Sequence, residues 1–326
     1  MSIAGQPLYL TGGRQKPREL DEWRAYDLAV ILRLDQQTGC LSTVVEYTSP
    51  AETCPDTDPA INFKAASIHE DLMYVSTNTE VLVYKLPSFE RAGYLSLPWF
   101  NDVHHVCRSS KGNLFVVSTG LDMVGEVTMS GTTVREWAVL GGDTWDKFSR
   151  DTDYRKVPTT KPHASHPNYV IETGSDVWVS RANQKDVACL TQPERKVDFR
   201  GFPHDGVRSD GKLYFTTVNG FIHVVDERTM TLAETFDLNT MDDRKAALGW
   251  MRGILPVGED LCWVGFTRLR PTKFKDNLSW VKHGFKQFYL PTRVALYDLG
   301  RKALVREIDL EPYGLNAVFS ILPEPA

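Results

Sequence analysis

FNDVHHVCRSSKGNLFVVSTG, residues 100–120, starts on Asp102, His104 and His105 and turns within a few residues into an apolar strand. The run RSSKGN (108–113) between the two halves has the Ser, Gly and Asn content of a tight hairpin turn. Gly and Asn accept positive φ there, and short hydroxyl side chains bond nearby backbone. The second half, LFVVS (114–118), is an apolar residue, an aromatic, two β-formers and a hydroxyl. That order decides the fold, because the chain repeats it.

It occurs six times: LYLT (8–11), MYVS (73–76), LFVVS (114–118), VWVS (177–180), LYFT (213–216) and CWVG (262–265). The aromatics are Tyr9, Tyr74, Phe115, Trp178, Tyr214 and Trp263. Except at the N-terminus, each copy comes after another short strand and a polar turn. Each is succeeded by two more strands joined by a second turn, such as DQQTG, TMSGT or DERTM. Short strands at regular spacing, with few helical periodicities, predict an all-β chain. Four antiparallel strands in each of six units predict a six-bladed β-propeller. The expected blades are residues 8–49, 62–98, 102–140, 166–200, 204–239 and 249–312, in a single domain over 1–326. The first unit lacks an innermost strand, whereas GLNAVFSILP (314–323) is left over. This C-terminal strand is expected to complete the first blade and close the ring.

The pattern, over nearly the whole chain, resembles the six-bladed group of NHL-repeat, gluconolactonase-like and arylsulfotransferase-like propellers, its uncharacterised members included. The resemblance implies the fold. Many activities share that fold, so function has to be argued from the site.

The bulk numbers narrow the classes. The 326 residues carry a formal net charge of −5, which is no electrostatic footprint for nucleic acid, and no nucleic-acid partner is expected. The start, MSIAGQPLYL, lacks a charged-then-apolar signal pattern, and no apolar run nears the roughly 18 residues of a membrane span. The cysteines (40, 54, 107, 189 and 262) are odd in number and show no CxxC pair. Those at 107, 189 and 262 fall in predicted strands and read as small buried hydrophobes. A cytoplasmic protein with no membrane association is expected; the oligomeric state is left open.

If strands are lettered A to D from the axis outward, the A–B and C–D turns lie on one face of a propeller. The B–C and D–A connections lie on the other. Every long segment, 14–27, 50–61, 141–162 and 268–291, falls in the second class, around the mouth where the inner strands begin. Function concentrates on such loops. Aligning the inner-strand starts puts Asn316, Lys64, His104, Asn168, Asp205 and Arg252 at one level. Two residues earlier stand Asn62, Asp102, His166 and Trp250, with His204 beside Asp205. Positions two apart share a face, so this ring is expected to point into the axial channel.

A merely hydrated channel would need Ser, Thr and Asn rather than three imidazoles. Two chemistries fit. His104, His166 and His204 with Asp205 are suitable ligands for one divalent metal ion of unspecified identity. The metal-free alternative uses the same histidines as acid–base or nucleophilic groups, Asp102 and Asp205 orienting them. Lys64 and Arg252 would then hold an anion, with Asn168 and Asn316 as hydrogen-bond partners. Gluconolactonase-like proteins hold an axial metal mostly through carboxylate and amide oxygens, a pattern that Asp205, Asn168 and Asn316 match in part and the histidines depart from. HPN (His166 and Asn168) resembles the His-x-Asn of the arylsulfotransferase-like group, and VHHV its early axial histidine. The mouth stretch RLRPTKFKDNLSWVKHGFKQF (268–288) interleaves cations with Phe274, Trp280, Phe285 and Phe288. Its spacing predicts a short amphipathic lid, placing Trp280 with Trp250 against the ligand. The expected function is an enzyme acting on a small anionic metabolite by hydrolysis, elimination or group transfer. The alternative is a non-catalytic propeller that binds a ligand or protein through the 268–288 loop.

Overall fold

The computed structural model describes residues 5–17, 20–21, 24–242, 244, 246–258, 260–269 and 290–325. Among these the strands form six sheets of four antiparallel strands, a six-bladed β-propeller. Among the described residues, helix is confined to short 3-10 turns such as Ala51–Thr53 and Tyr154–Lys156. No helix of the described residues is long and apolar enough to cross a membrane.

The inner strands are Ala66–His69, Val103–Arg108, Pro167–Thr173, Pro203–Ser209, Trp250–Pro256 and Ala317–Pro323. The last belongs to the first blade. It lies antiparallel to Leu8–Gln15, with Leu8 opposite Pro323 and Gly13 opposite Ala317. The ring is thus closed by strands from both ends of the chain. The closing strand begins three residues later than the quoted run, because Gly314, at φ 76°, ends a 3-10 turn over Glu311–Tyr313. Gly12 is required at the seam: a Cβ there would sit 1.7 Å from the Ala317 carbonyl oxygen. Beyond the strand, Glu324 accepts from the Tyr9 hydroxyl at 2.7 Å and from Arg33 Nη2 at 2.7 Å.

The hydrophobic core lies between blades rather than within them. One cluster joins Val81 and Val83 of the second blade to Val106, Val116 and Met123 of the third. Another joins Leu10 and Leu32 of the first to Leu255 and Trp263 of the sixth and to Val318 of the closing strand. The motif aromatics sit at these seams; Trp178 and Trp263 are each 1% exposed. Each sheet therefore buries both faces against its neighbours, which is why the units need the ring.

The hydroxyl that ends the repeated motif has a separate task. Five inner strands slip register near their start: at Val103/His105, Pro167/Val170, Pro203/Gly206, Arg252/Ile254 and, through Ser320/Val318, on the closing strand. A bulge frees backbone groups and re-aims side chains. The motif hydroxyls take up those groups and reach the next blade. Ser180 Oγ accepts from Tyr169 N–H at 2.9 Å and donates to the His204 carbonyl at 3.2 Å. Thr11 Oγ1 donates to the Lys64 carbonyl at 2.9 Å and accepts from Ser320 N–H at 3.1 Å. Thr216 bonds the Asp205 amide at 3.2 Å. In the sixth blade this role falls to Thr267, two residues past the motif, which accepts from Val318 N–H at 3.1 Å.

Candidate functional site

The bulges lie at the mouth, where the inner strands surround a cavity of about 150 Å³. Its walls include Lys64, Asp102, His104, His166, His204, Trp250 and Arg252, with Cys54, Pro55 and Ala60 from one mouth loop and Val157, Pro158, Thr159 and Lys161 from another. The two loops are tied together. Lys156 Nζ donates to the carbonyls of Ala51 (2.6 Å) and Cys54 (3.0 Å), while Asn101 Nδ2 donates to those of Tyr154 and Val157, both at 2.8 Å.

Among the described residues lining the cavity, three cations (Lys64, Lys161 and Arg252) face one carboxylate, Asp102. Lys64 and Arg252 are each only 5% exposed. Lys64 Nζ stands 3.1 Å from Asp102 Oδ1. Both buried cations also face one aromatic ring: the Phe319 centroid is 5.0 Å from Lys64 Nζ and 4.2 Å from Arg252 Cζ. The negative face of that ring offsets part of the repulsion between them. Burial pushes the Asp102 carboxyl up, but Lys64 beside it overrides this and holds it well below the usual carboxylate range. Burial, and then Lys64, push the His104 imidazole well below the ordinary histidine value.

The ring nitrogens have defined partners. His104 Nδ1 lies 3.0 Å from the Asp102 carbonyl oxygen, which can only accept, so Nδ1 carries the proton. In the neutral ring Nε2 of His104 is then the unprotonated nitrogen. His204 turns Nδ1 to the Asp205 carboxylate at 3.1 Å, and that same carboxylate oxygen accepts from Gly253 N–H at 3.1 Å. His166 pairs its Nδ1 with His163 Nδ1 at 2.8 Å. The His166 backbone is left-handed (φ 58°). It is held there by Asp122, whose carboxylate accepts from the amides of Ala164 (2.7 Å), Ser165 (3.0 Å) and His166 (2.9 Å). Burial, and then His163, push the His166 imidazole well below its ordinary value. His104 is 5.4 Å, centroid to centroid, from both His166 and His204.

The structure gathers Lys64, Asp102, His104, His166, His204, Trp250 and Arg252 around one cavity. Four expected members stand elsewhere. Asn62 is buried against Gly13 rather than lining the cavity. Asn316 turns away, its Oδ1 accepting from Gln15 N–H at 2.9 Å. Asn168, fully buried, donates to the Pro203 carbonyl at 3.2 Å. Asp205 lies beneath the cavity with Gly253 and Phe319, bracing His204 from behind. Counting along an alternating strand does not foresee the last three of these positions, because Asn168 and Asp205 fall inside register slips and Asn316 precedes the closing strand. Trp280, with the rest of 270–289, lies outside the described residues. Sequence reasoning missed Phe319, Lys161, His163 and Asp122. Phe319 reads as an ordinary core residue, and Asp122 and His163 act through other side chains. The spacing of His163 and His166 in PHASH was the one available signal.

A bound metal would need several donors on one centre. Among the described residues, no group of three or more His, Cys, Asp or Glu side chains is placed to hold a metal ion. Lys64 and Arg252 would oppose a divalent cation at the same spot. The arrangement does not fit the expected metal site.

No protein-family model matches the sequence, and no curated protein matches it. Among solved structures the chain is similar to a protein of unknown function from Bacteroides caccae: TM-score 0.62 and 12% identity, covering 98% of this chain and 100% of that one. It is also similar to a chain of a nidogen/laminin complex, with a TM-score of 0.54 and 10% identity over 97% of each chain. A catalytically inactive virginiamycin B lyase from Staphylococcus aureus with quinupristin matches at a TM-score of 0.45 and 15% identity, over 72% of this chain and 69% of that one. At these identities the likeness concerns the fold alone.

Proposed function

We propose that the axial cavity binds a small anionic metabolite and acts on it by histidine acid–base chemistry. The observation that carries this reading is the excess of cations over carboxylates among the described lining residues, in a cavity with low-dielectric walls. A carboxylate, phosphoryl or sulfuryl group would lie between Lys64 and Arg252, the guanidinium offering a planar fork of donors. His104 and His166 are uncharged near neutrality, because burial holds both below the ordinary histidine range. An imidazole Nε2 then takes a proton from the bound molecule, and the two cations stabilise the negative charge that develops. Hydrolysis, elimination and group transfer are the reaction classes open to such a site. Gluconolactonase-like and arylsulfotransferase-like propellers are the groups this reading sits nearest. The non-catalytic alternative depends on the 268–288 loop, which lies almost wholly outside the described residues.

Calorimetric titration with inorganic phosphate, sulfate and malonate tests the reading. At least one should bind, and Arg252→Met should weaken it at least tenfold, whereas Lys111→Met, at a turn on the opposite face, should leave it unchanged. Chelator should not alter the affinity. No binding by any of the three anions, or equal binding by the Arg252 variant, would remove the proposal.

A further inference from the structure

We propose that His163, which does not line the cavity, fixes the tautomer of His166 and so presents His166 Nε2 to the cavity as an unprotonated lone pair. The inference rests on the reading of the cavity as an acid–base site, but its test does not depend on a ligand.

The chain of protons runs inward from Thr160. Its hydroxyl has two acceptors within reach, the Gly120 carbonyl oxygen and, at 3.4 Å, Asn101 Oδ1. Asn101 spends its Nδ2 donors on the Tyr154 and Val157 carbonyls, which identifies Oδ1 as the accepting end of that amide. The single Thr160 proton is therefore committed, and toward His163 Nε2, 3.4 Å away, Thr160 Oγ1 can only accept. His163 then carries its proton on Nε2. A neutral imidazole has one N–H, so His163 Nδ1 is an acceptor. Its partner at 2.8 Å, His166 Nδ1, must be the donor. Each ring has then placed its one proton, and His166 Nε2 is bare.

The other assignments fail. With His166 protonated on Nε2 and His163 also on Nε2, two lone pairs would face each other across 2.8 Å. With His163 protonated on Nδ1, its Nε2 lone pair would meet an oxygen that has no proton to give. Burial pushes both rings below the ordinary histidine range, so the neutral forms assumed here are those present at neutral pH. The geometry is held from both sides. The ring centroids lie 5.0 Å apart with planes 25° from parallel, and Asp122 fixes the backbone of the segment through its three amide contacts. His163 is accordingly a positioning residue and not a catalytic one. Asp122 supports the same presentation one layer further out.

Long-range proton–nitrogen correlation spectra of the uniformly ¹⁵N-labelled full chain at pH 7 read the tautomers directly. Comparison with His166→Gln assigns the His166 signals. His166 Nδ1 should resonate in the protonated range and Nε2 in the unprotonated range, with His163 showing the reverse. His163→Asn keeps a side-chain acceptor and should preserve the His166 pattern; His163→Leu should move His166 Nε2 toward the protonated range. An Nε2–H form of His166 in the wild type would overturn the inference, as would a pattern unmoved in His163→Leu. If His163→Leu does not fold, the wild-type spectrum and His163→Asn still decide. Anion affinity should stay within about twofold in His163→Leu, since a neutral hydrogen-bonding partner outside the cavity contributes little to charge recognition. A wild type that binds no anion defeats the functional reading while leaving the tautomer to the spectra.

Discussion

Lys64 Nζ lies 3.1 Å from Asp102 Oδ1, and Asp102 in turn holds His104 through its carbonyl oxygen at 3.0 Å. One left-handed residue at φ 48° thus fixes a cation and an imidazole together at the cavity wall. The two charges act on His104 in opposite directions. After burial, Lys64 is the next cause pushing it down, and Asp102 pulls it up. Lys64→Met removes the depressing charge and leaves the carboxylate, so the His104 pKa should rise. Proton NMR titration of the His104 ring, assigned with His104→Gln, measures it. A His104 pKa that stays or falls in Lys64→Met would show that the pair does not govern the imidazole.

Phe319 carries both buried cations on one ring. Phe319→Leu keeps most of the volume and removes the negative face. Desolvated cation–π contacts contribute up to about 2 kcal/mol, so a loss of about 2 kcal/mol in urea unfolding is expected. Phe319→Tyr retains the ring face and should lose less. Equal losses in the two variants would point to packing alone.

Ser180 bridges two blades through one hydroxyl, accepting from Tyr169 and donating to the His204 carbonyl. Ser180→Ala leaves both groups without that partner in a buried place and should cost about 1–3 kcal/mol. Ser180→Thr keeps the hydroxyl and should recover most of it. Chemical denaturation of the three proteins decides, and a neutral Ser180→Ala would mean that the bridge is dispensable.

The fold was legible because the propeller repeats its punctuation: LYLT, MYVS, LFVVS, VWVS and LYFT mark the same strand in five blades, and CWVG marks it in the sixth. The unpartnered 314–323 run pointed to the closure for the same reason. The cavity wall was legible where it depends on chain order alone, as for Lys64, His104, His166 and Arg252. Within the register slips counting was no guide: His204 reaches the cavity, whereas Asn168 and Asp205 do not. Asn316 and Asp205 align with the ring by counting, yet one turns to Gln15 and the other drops below the cavity. Phe319 was hidden for the converse reason: nothing in VFSIL distinguishes a ring that faces two cations from one that fills a core. His163 and Asp122 touch the site only through His166 and its backbone, which no strand alignment encodes.

Acid should destabilise the protein in two stages. Burial pushes His105 down to about 4, and it also pushes His104, His163 and His166 below the ordinary histidine range. Unfolded histidines titrate near 6.5, so the unfolded chain binds more protons below that pH, and stability falls as pH drops. His105 alone should contribute about 3 kcal/mol, lost between about pH 6.5 and 4. Its ring lies 4.4 Å, centroid to centroid, from that of Tyr169, tilted by 32°; it accepts from Val170 N–H at 3.3 Å and feels Asp205. Carboxylates held low, Asp102 among them, add a second loss only below about pH 4, where they protonate in the unfolded chain first. His105→Gln should flatten the slope of unfolding free energy between pH 6.5 and 4 whatever it does to the absolute value. An unchanged slope would show that His105 is not a buried neutral imidazole.

Closure by the C-terminal strand gives the most global prediction. Ala317–Pro323 contributes the inner strand of the first blade and places Val318 and Ile321, with Leu315 just before it, in the cluster shared by the first and sixth blades. It also brings Phe319 against Lys64 and Arg252 and Ser320 to the amide of Ala66 at 2.8 Å. Removing residues 314–326 would expose the edge of Leu8–Gln15, open that seam and take the Phe319 ring from the two cations in one step. In a closed ring each blade depends on both neighbours, so the damage should spread beyond one seam, and the truncated chain should lose its cooperative thermal transition. Glu324→Ala, which removes only the contacts with Tyr9 and Arg33, separates closure from clamping. It should lower the midpoint by a few degrees and keep the transition cooperative. Calorimetry on the full chain, the truncation and Glu324→Ala tests both statements. A truncated protein that melts at the wild-type midpoint with an undiminished calorimetric enthalpy would show that the ring holds without its last strand.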